Sequence, residues 1–326
     1  MPELRIDPLS GHRTIVAGER SRRPGGAPSC APPDPIDAGA DPFAAGHEDR
    51  TPPEVYAVRP AGGPADGEGW TVRVVPNLYP ALDPPGNGAV AIAKPPASSR
   101  DAREELFQSL PATGAHEVIV NGPQPVLSLA ELPAEQVAVA MEVWRERMRE
   151  HAGSSAYVQL IVNERREAGA SLPHTHAQLY ALDFVPATVA RERERAGAYA
   201  TRTMGQNLLG DLVAEEVRRR ERVVAIDDEA VLLAPYASRL PYQLMLAPRT
   251  PRARFEDPGA IGASLLHDGL ARLARHLGSS PPLNMWVRTA PTGADHFSWR
   301  IDVLPRLTHI AGLELSTDLN LNIVAP

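Results

Sequence analysis

The hydrophobic and polar positions fall into a readable pattern only from Trp70 onward. Trp70–Val75 is rich in β-branched residues and ends at Pro76-Asn77, which predicts a strand. His116–Val120 reads as a second strand. Over 133–151, Val137, Met141, Trp144 and Met148 recur at spacings of four, three and four, one apolar stripe of an amphipathic helix, with Pro133 suited to its first turn. Tyr157–Val162 and His176–Phe184 read as strands. The charged stretch from Pro186 to about Arg222, with Arg191-Glu-Arg-Glu-Arg195 and Arg218–Arg222, reads as a solvated helical connector. A second pass then begins: a hairpin at Val223–Ala234 across Asp227-Asp228, a strand at Tyr242–Leu246, a helix at Ile261–Leu277, and strands at Asn284–Arg288 and Trp299–Leu304. Strands, helix, strands therefore occurs twice. The predicted class is α+β, a tandem pair of mostly antiparallel sheets backed by helices in one compact chain, with units at 1–200 and 201–326. Residues 1–69 carry little periodicity, and Pro24–Pro35 and Pro60–Gly69, rich in Pro, Gly, Ala and Asp, read as loops.

Composition narrows the function classes. The chain has 326 residues, 43% hydrophobic and 22% charged, enough for a sizeable core. A net charge of −7, with Lys94 the sole lysine, gives no basic field for nucleic acid. Cys30 is the one cysteine, so no internal disulfide is possible, and no run of about 18 apolar residues is present. A cytoplasmic setting, without nucleic-acid or membrane partners, is expected.

The chemistry concentrates in Ser171-Leu-Pro-His174-Thr-His176-Ala-Gln178. Residues two apart on a strand share a face, so His174, His176 and Gln178 line up there. An imidazole held this way can attack phosphorus, and an amide beside it can steady phosphoryl oxygens. A zinc reading competes, because His-x-His is common in zinc sites, but none of the other histidines stands at ligand spacing to this pair. A Ser or Cys triad fits poorly: Cys30 lies in a Pro-rich loop, and no G-x-S-x-G, P-loop or G-x-G-x-x-G is present.

The stretch Asn163–Leu182 resembles the active-site segment of galactose-1-phosphate uridylyltransferases, of the histidine-triad superfamily. So do Glu3–Gly11, Ile15-Val16, Glu19–Pro24, Thr51–Val55, Val75–Leu82 and Leu304–Leu315, in order along nearly the whole chain. The resemblance implies two histidine-triad-like units and a double displacement. His176 falls on the nucleophile, which takes a nucleoside monophosphate from a nucleoside diphosphate sugar and passes it to a second sugar 1-phosphate or to phosphate. Gln178 falls where the transferases hold a phosphoryl oxygen, a position that is a third histidine in the hydrolases. His174 positions the loop or presents its carbonyl to His176. Ser171 contacts phosphate, Asn77, Tyr79 and Asn163 line the substrate pocket, and Arg20 and Arg23 meet the sugar phosphate. Glu314 recognises sugar hydroxyls from the second subunit of a homodimer. A histidine-triad hydrolase and a non-catalytic nucleotide-binding protein stay open as alternatives.

The chain departs from the family at its metal ligands. The usual Cys-x-x-Cys becomes Asp41-Pro-Phe43-Ala44, the later histidine falls on Pro125, and only His174 is left of the zinc set. No metal or cofactor is expected, although a set of Asp41, His47 and His174 stays open. A second metal site of some members, a His-x-His on a late strand, reads Ser298-Trp299-Arg300.

Overall fold

The computed structural model describes residues 1–23, 28–84, 107 and 109–326. In chain order the strands are β1 Glu3–Ile6, β2 Arg13–Val16, β3 Tyr56–Val58, β4 Val72–Pro76, β5 Gly114–Val120, β6 Tyr157–Glu164, β7 His176–Leu182, β8 Val223–Ile226, β9 Ala230–Leu233, β10 Leu244–Pro248, β11 Leu283–Arg288, β12 Arg300–Pro305 and β13 Leu319–Asn322. The helices are α1 Ala134–Ala152, α2 Ala187–Arg202, α3 Leu208–Arg219, α4 Ala263–Leu277 and α5 Gly312–Thr317. Among the described residues, no helix is long and apolar enough to cross a membrane.

The repeat of element order becomes one continuous sheet. Ten strands run β3-β4-β5-β7-β6-β11-β12-β10-β9-β8, every neighbour antiparallel. Read outward from the β6–β11 junction, β7, β5, β4 and β3 on one side match β12, β10, β9 and β8 on the other. The mixed, mostly antiparallel α+β class is as the sequence predicts, but the expected pair of sheets is joined into one. The junction pairs Leu160–Glu164 with Leu283–Val287.

One face of this sheet is covered along its length by α1 and α4. The α1 stripe of Val137, Met141, Trp144 and Met148 is fully buried against Leu160, Val162, Ala177, Leu179 and Ala181, and the same core continues into Val287, Ile301 and Val303 with Leu266 and Leu270 of α4. The opposite face is divided. Over the second half, Leu209 and Val213 of α3 pack on Val231, Leu233 and Met245. Over the first half it carries a small cluster of Phe43, Trp70, Val75, Val118 and Val120, and beside it the polar residues of β7.

Three expectations are corrected. The connector at 186–222 is two helices, and it is not solvated throughout: Glu192 is buried and receives Arg300 through two hydrogen bonds of 3.0 and 3.1 Å. Charge made this segment look like surface, but burial follows the partner on β12. Residues 1–69 contain β1, β2 and β3, strands of three or four residues, too short for alternation to show. β2 also pairs in parallel with β13 at the opposite end of the chain, a contact local pattern cannot announce. Tyr242 is not in a strand, since its φ of 59° is left-handed, and β10 begins two residues later. The Pro60–Gly69 loop is a loop, held by Arg59 on Gly67 O at 2.7 Å and by Arg73 on Asp66 at 2.7 Å. Of the Pro24–Pro35 loop, residues 24–27 lie outside the described residues.

Candidate active site

β7 lies between β5 and β6, with His176 as its first residue. Alternation turns Ala177, Leu179 and Ala181 into the helix-backed core and puts His176, Gln178 and Tyr180 on the other face. His176 is 4% exposed. Its Nδ1 stands 2.7 Å from the His174 carbonyl oxygen. A carbonyl only accepts, so Nδ1 carries the hydrogen and the lone pair of the neutral ring sits on Nε2. No described residue hydrogen-bonds that nitrogen. Burial is the main cause pushing the imidazole below its ordinary value of 6.5, which favours the neutral, nucleophilic form.

Gln178 is oriented by two neighbours that sequence reading passed over. Tyr180 donates its hydroxyl to Gln178 Oε1 at 2.8 Å. The Ala81 amide donates to His116 Nδ1 at 3.1 Å, which leaves the His116 proton on Nε2, 3.2 Å from the same Gln178 oxygen. With both acceptor positions of Oε1 used, the Gln178 NH2 is the end that faces a ligand as a donor. The His116 ring stacks on Tyr180 at 4.1 Å between centroids. Tyr180 continues the His176-x-Gln178 alternation, so a signal for it existed. His116 reaches the site only because β5 pairs it opposite Tyr180.

The remaining sequence-predicted residues divide into two groups. Asn77 sits beside His116: its Nδ2 lies 3.1 Å from His116 Nε2, which as two donors is a contact and not a hydrogen bond, and its Oδ1 accepts the Tyr79 amide at 2.9 Å. Tyr79 itself is exposed. Asn163 is two residues beyond Ile161, the cross-strand partner of Gln178, and so shares its face. Its Oδ1 accepts from Asn284 Nδ2 at 2.7 Å. Ser171 is exposed on a cleft of about 930 Å³ with Arg165, Arg166 and Pro173. Arg20, Arg23 and Glu314 instead meet in a separate pocket of about 320 Å³ with Arg239 and His309, which shares no lining residue with the His176 region.

The zinc that the resemblance implies does not fit these residues. His174 Nδ1 is 2.6 Å from Asp41 Oδ2, and its Nε2 is 2.8 Å from the Gly122 carbonyl oxygen. Burial pushes the Asp41 carboxyl up, but the His174 ring and the Phe43 amide outweigh it and hold the group below its ordinary value. Asp41 is therefore a carboxylate, both His174 nitrogens donate, and no lone pair on that ring is left for a metal. Ala44 and Pro125 offer no side-chain donor. The His47 ring gives its Nδ1–H to the Asp41 carbonyl at 2.7 Å. At the second metal position the Arg300 guanidinium lies between Glu192 and Asp302, a fixed cation where a metal cation would have to sit. Among the described residues no group of three or more His, Cys, Asp and Glu is arranged to hold a metal.

The family model described as "Galactose-1-phosphate uridyl transferase, N-terminal domain" matches residues 72–186, and that described as "Domain of unknown function (DUF4921)" matches 135–326. An ADP-glucose phosphorylase of Arabidopsis thaliana is 26% identical over 100% of this chain and 90% of its own length. A probable galactose-1-phosphate uridylyltransferase of Drosophila melanogaster is 27% identical over 90% of this chain and 80% of its own. The crystal structure of the Arabidopsis thaliana phosphorylase with bound ADP-glucose superposes with a TM-score of 0.78, covering 100% of this chain and 96% of that one at 26% identity. The chain thus belongs to the family of the Domain of unknown function (DUF4921), and its homology and fold are those of the galactose-1-phosphate uridylyltransferase-like proteins.

Proposed function

We propose that this chain transfers a nucleoside monophosphate between sugar 1-phosphates, or from a nucleoside diphosphate sugar to phosphate, through a covalent nucleotidyl-histidine on His176. Its homologues are uridylyltransferases and a phosphorylase, which supports an enzyme of nucleotidyltransferase type. The observation that carries the finer reading is the His176 ring, held by its Nδ1–H on the His174 carbonyl so that Nε2 is the nucleophile.

In the first step Nε2 attacks the α-phosphorus of a nucleoside diphosphate sugar. A nitrogen–phosphorus bond forms, and the bond from phosphorus to the bridging oxygen breaks. The sugar 1-phosphate leaves with the electron pair. The ring becomes cationic as it reacts, and the His174 carbonyl, accepting from Nδ1, stabilises that charge. The Gln178 NH2 donates to a non-bridging phosphoryl oxygen. Glutamine has no proton to give, and a phosphate monoester leaves without one. In the second step an acceptor phosphate oxygen attacks the same phosphorus and displaces the imidazole.

One relative, matched over 100% of this chain, is a phosphorylase, which supports inorganic phosphate as an acceptor. The separate pocket of Arg20, Arg23 and Glu314 fits a homodimer in which that pocket of one copy serves the site of the other. A cytoplasmic setting belongs to the same proposal.

The test uses nucleoside diphosphate sugars labelled in the α-phosphate. Label is expected on the protein and absent from His176→Ala, and chasing with phosphate or with a sugar 1-phosphate identifies the acceptor. Label retained by His176→Ala overturns the reading, and free nucleoside monophosphate released without any acceptor replaces it with hydrolysis.

A further inference from the structure

We infer that a direct carboxylate–histidine pair, Asp41 with His174, positions the nucleophile of this chain, in place of the zinc that many members of the resembled family hold. The inference rests on the nucleotidyl-transfer reading for what is positioned, and on the geometry for how.

The contacts form one continuous path. The Asp41 carboxylate accepts the Phe43 amide at 2.9 Å through Oδ1 and His174 Nδ1–H at 2.6 Å through Oδ2. Both side chains are 0% exposed. The other nitrogen of the ring donates to Gly122 O at 2.8 Å, so the ring can neither flip nor slide without stranding a buried donor. The His174 carbonyl then takes the Nδ1–H of His176. Phe43, two residues from Asp41, puts its ring edge-on to both imidazoles, with centroids 5.2 Å from His176 and 6.2 Å from His174. One carboxylate thus fixes the ring of His174, the loop that carries Phe43, and through the His174 backbone the tautomer and aim of His176. A metal would supply the same rigidity by binding the ring, but here Asp41 and the Gly122 carbonyl between them occupy both ring nitrogens.

Asp41 is accordingly a positioning residue, and three measurements test it. Elemental analysis of the protein is expected to find zinc well below one per chain, and chelator treatment to leave adduct formation unchanged; stoichiometric zinc whose removal stops labelling overturns the inference. Proton NMR is expected to show two downfield ring N–H resonances from His174 that vanish in Asp41→Asn; a protein that labels at His176 but lacks both resonances overturns the pair. In Asp41→Asn, measured below its melting transition, kcat is expected to fall roughly 10- to 100-fold, the usual effect of losing an orienting partner, with KM little changed because ground-state binding is not touched. An unchanged kcat overturns the positioning role. If no nucleoside diphosphate sugar labels the unaltered protein, the transfer reading fails and the positioning role with it, while the resonances still report the pair.

Discussion

At the scale of single residues, the site depends on where protons sit. His176 has its hydrogen fixed on Nδ1 by a carbonyl, and burial lowers its pKa from 6.5. A lowered imidazole pKa means the reactive neutral form persists into more acidic solution. Single-turnover labelling is therefore expected to stay flat as pH falls through 6.5 and to decline only below it; a profile that halves at or above 6.5 contradicts this. Gln178 shows the same logic without titration, since Tyr180 and His116 decide which end of its amide meets substrate. Glu164, buried behind the site, is pushed up to about 7 chiefly by burial, against the lowering effect of the Ser128 hydroxyl and the Leu129 amide. A raised carboxyl pKa means the folded state keeps a proton that the unfolded state has released, so stability falls as pH rises between 4.5 and about 7. The loss is about 3 kcal/mol, at 1.36 kcal/mol per pH unit. Glu164→Gln is expected to melt progressively higher than the parent as pH rises from 5 to 8, while the two differ least at pH 5, as thermal denaturation across that range would show.

At the scale of elements, β7 is made by alternation and aimed by its neighbours. Its odd-numbered residues feed the core under α1, which leaves the even-numbered ones to do chemistry. β5 must approach closely enough to place His116 beside Gln178, and Gly114 at its start permits this. Gly114 has φ of +149°, and a Cβ there would overlap the Ala181 carbonyl oxygen. Gly114→Ala is thus expected to destabilise by roughly 2 kcal/mol or more, combining backbone strain with a clash. Urea unfolding measures it, and a loss under 0.5 kcal/mol, the scale of ordinary surface substitutions, would contradict the close approach. The α1 stripe was fully legible because helix period and burial agree from Val137 to Met148, about three turns. The short strands β1, β2 and β3 were not, because three or four residues cannot display a period and their partners are remote in sequence.

For the whole molecule, the two halves of the sheet differ in what covers the face that carries His176. The face that carries His176 in the first half is covered in the second by α2 and α3, where Glu192 of α2 locks onto Arg300, with Arg288 3.4 Å away. Burial and these arginines act in opposite directions on the Glu192 carboxyl, and the arginines prevail, holding it below its ordinary value. Removing Glu192 leaves the two buried guanidinium groups of Arg288 and Arg300 with Asp302 as their remaining carboxylate. Glu192→Gln is therefore expected to destabilise by about 3–5 kcal/mol, the range for a broken buried pair. Labelling of His176 is expected to persist below the lowered melting temperature, since Glu192 of α2 pairs with the other half of the sheet; a calorimetric scan paired with the labelling assay checks both parts.

What the sequence determined by itself was local: the periods of the long elements, their repeated order, and the His174, His176 and Gln178 alignment on one strand face, all consequences of residues near one another in the chain. What only the tertiary structure decided was pairing at a distance. Asp41 on His174 across 133 positions, His116 on Gln178 across 62 and Glu192 on Arg300 across 108 are hydrogen bonds between residues whose types alone read as loop, strand and solvated helix. Their physical origin is that a buried charge or amide must find a partner, and only the folded chain determines which one is within 3 Å or so.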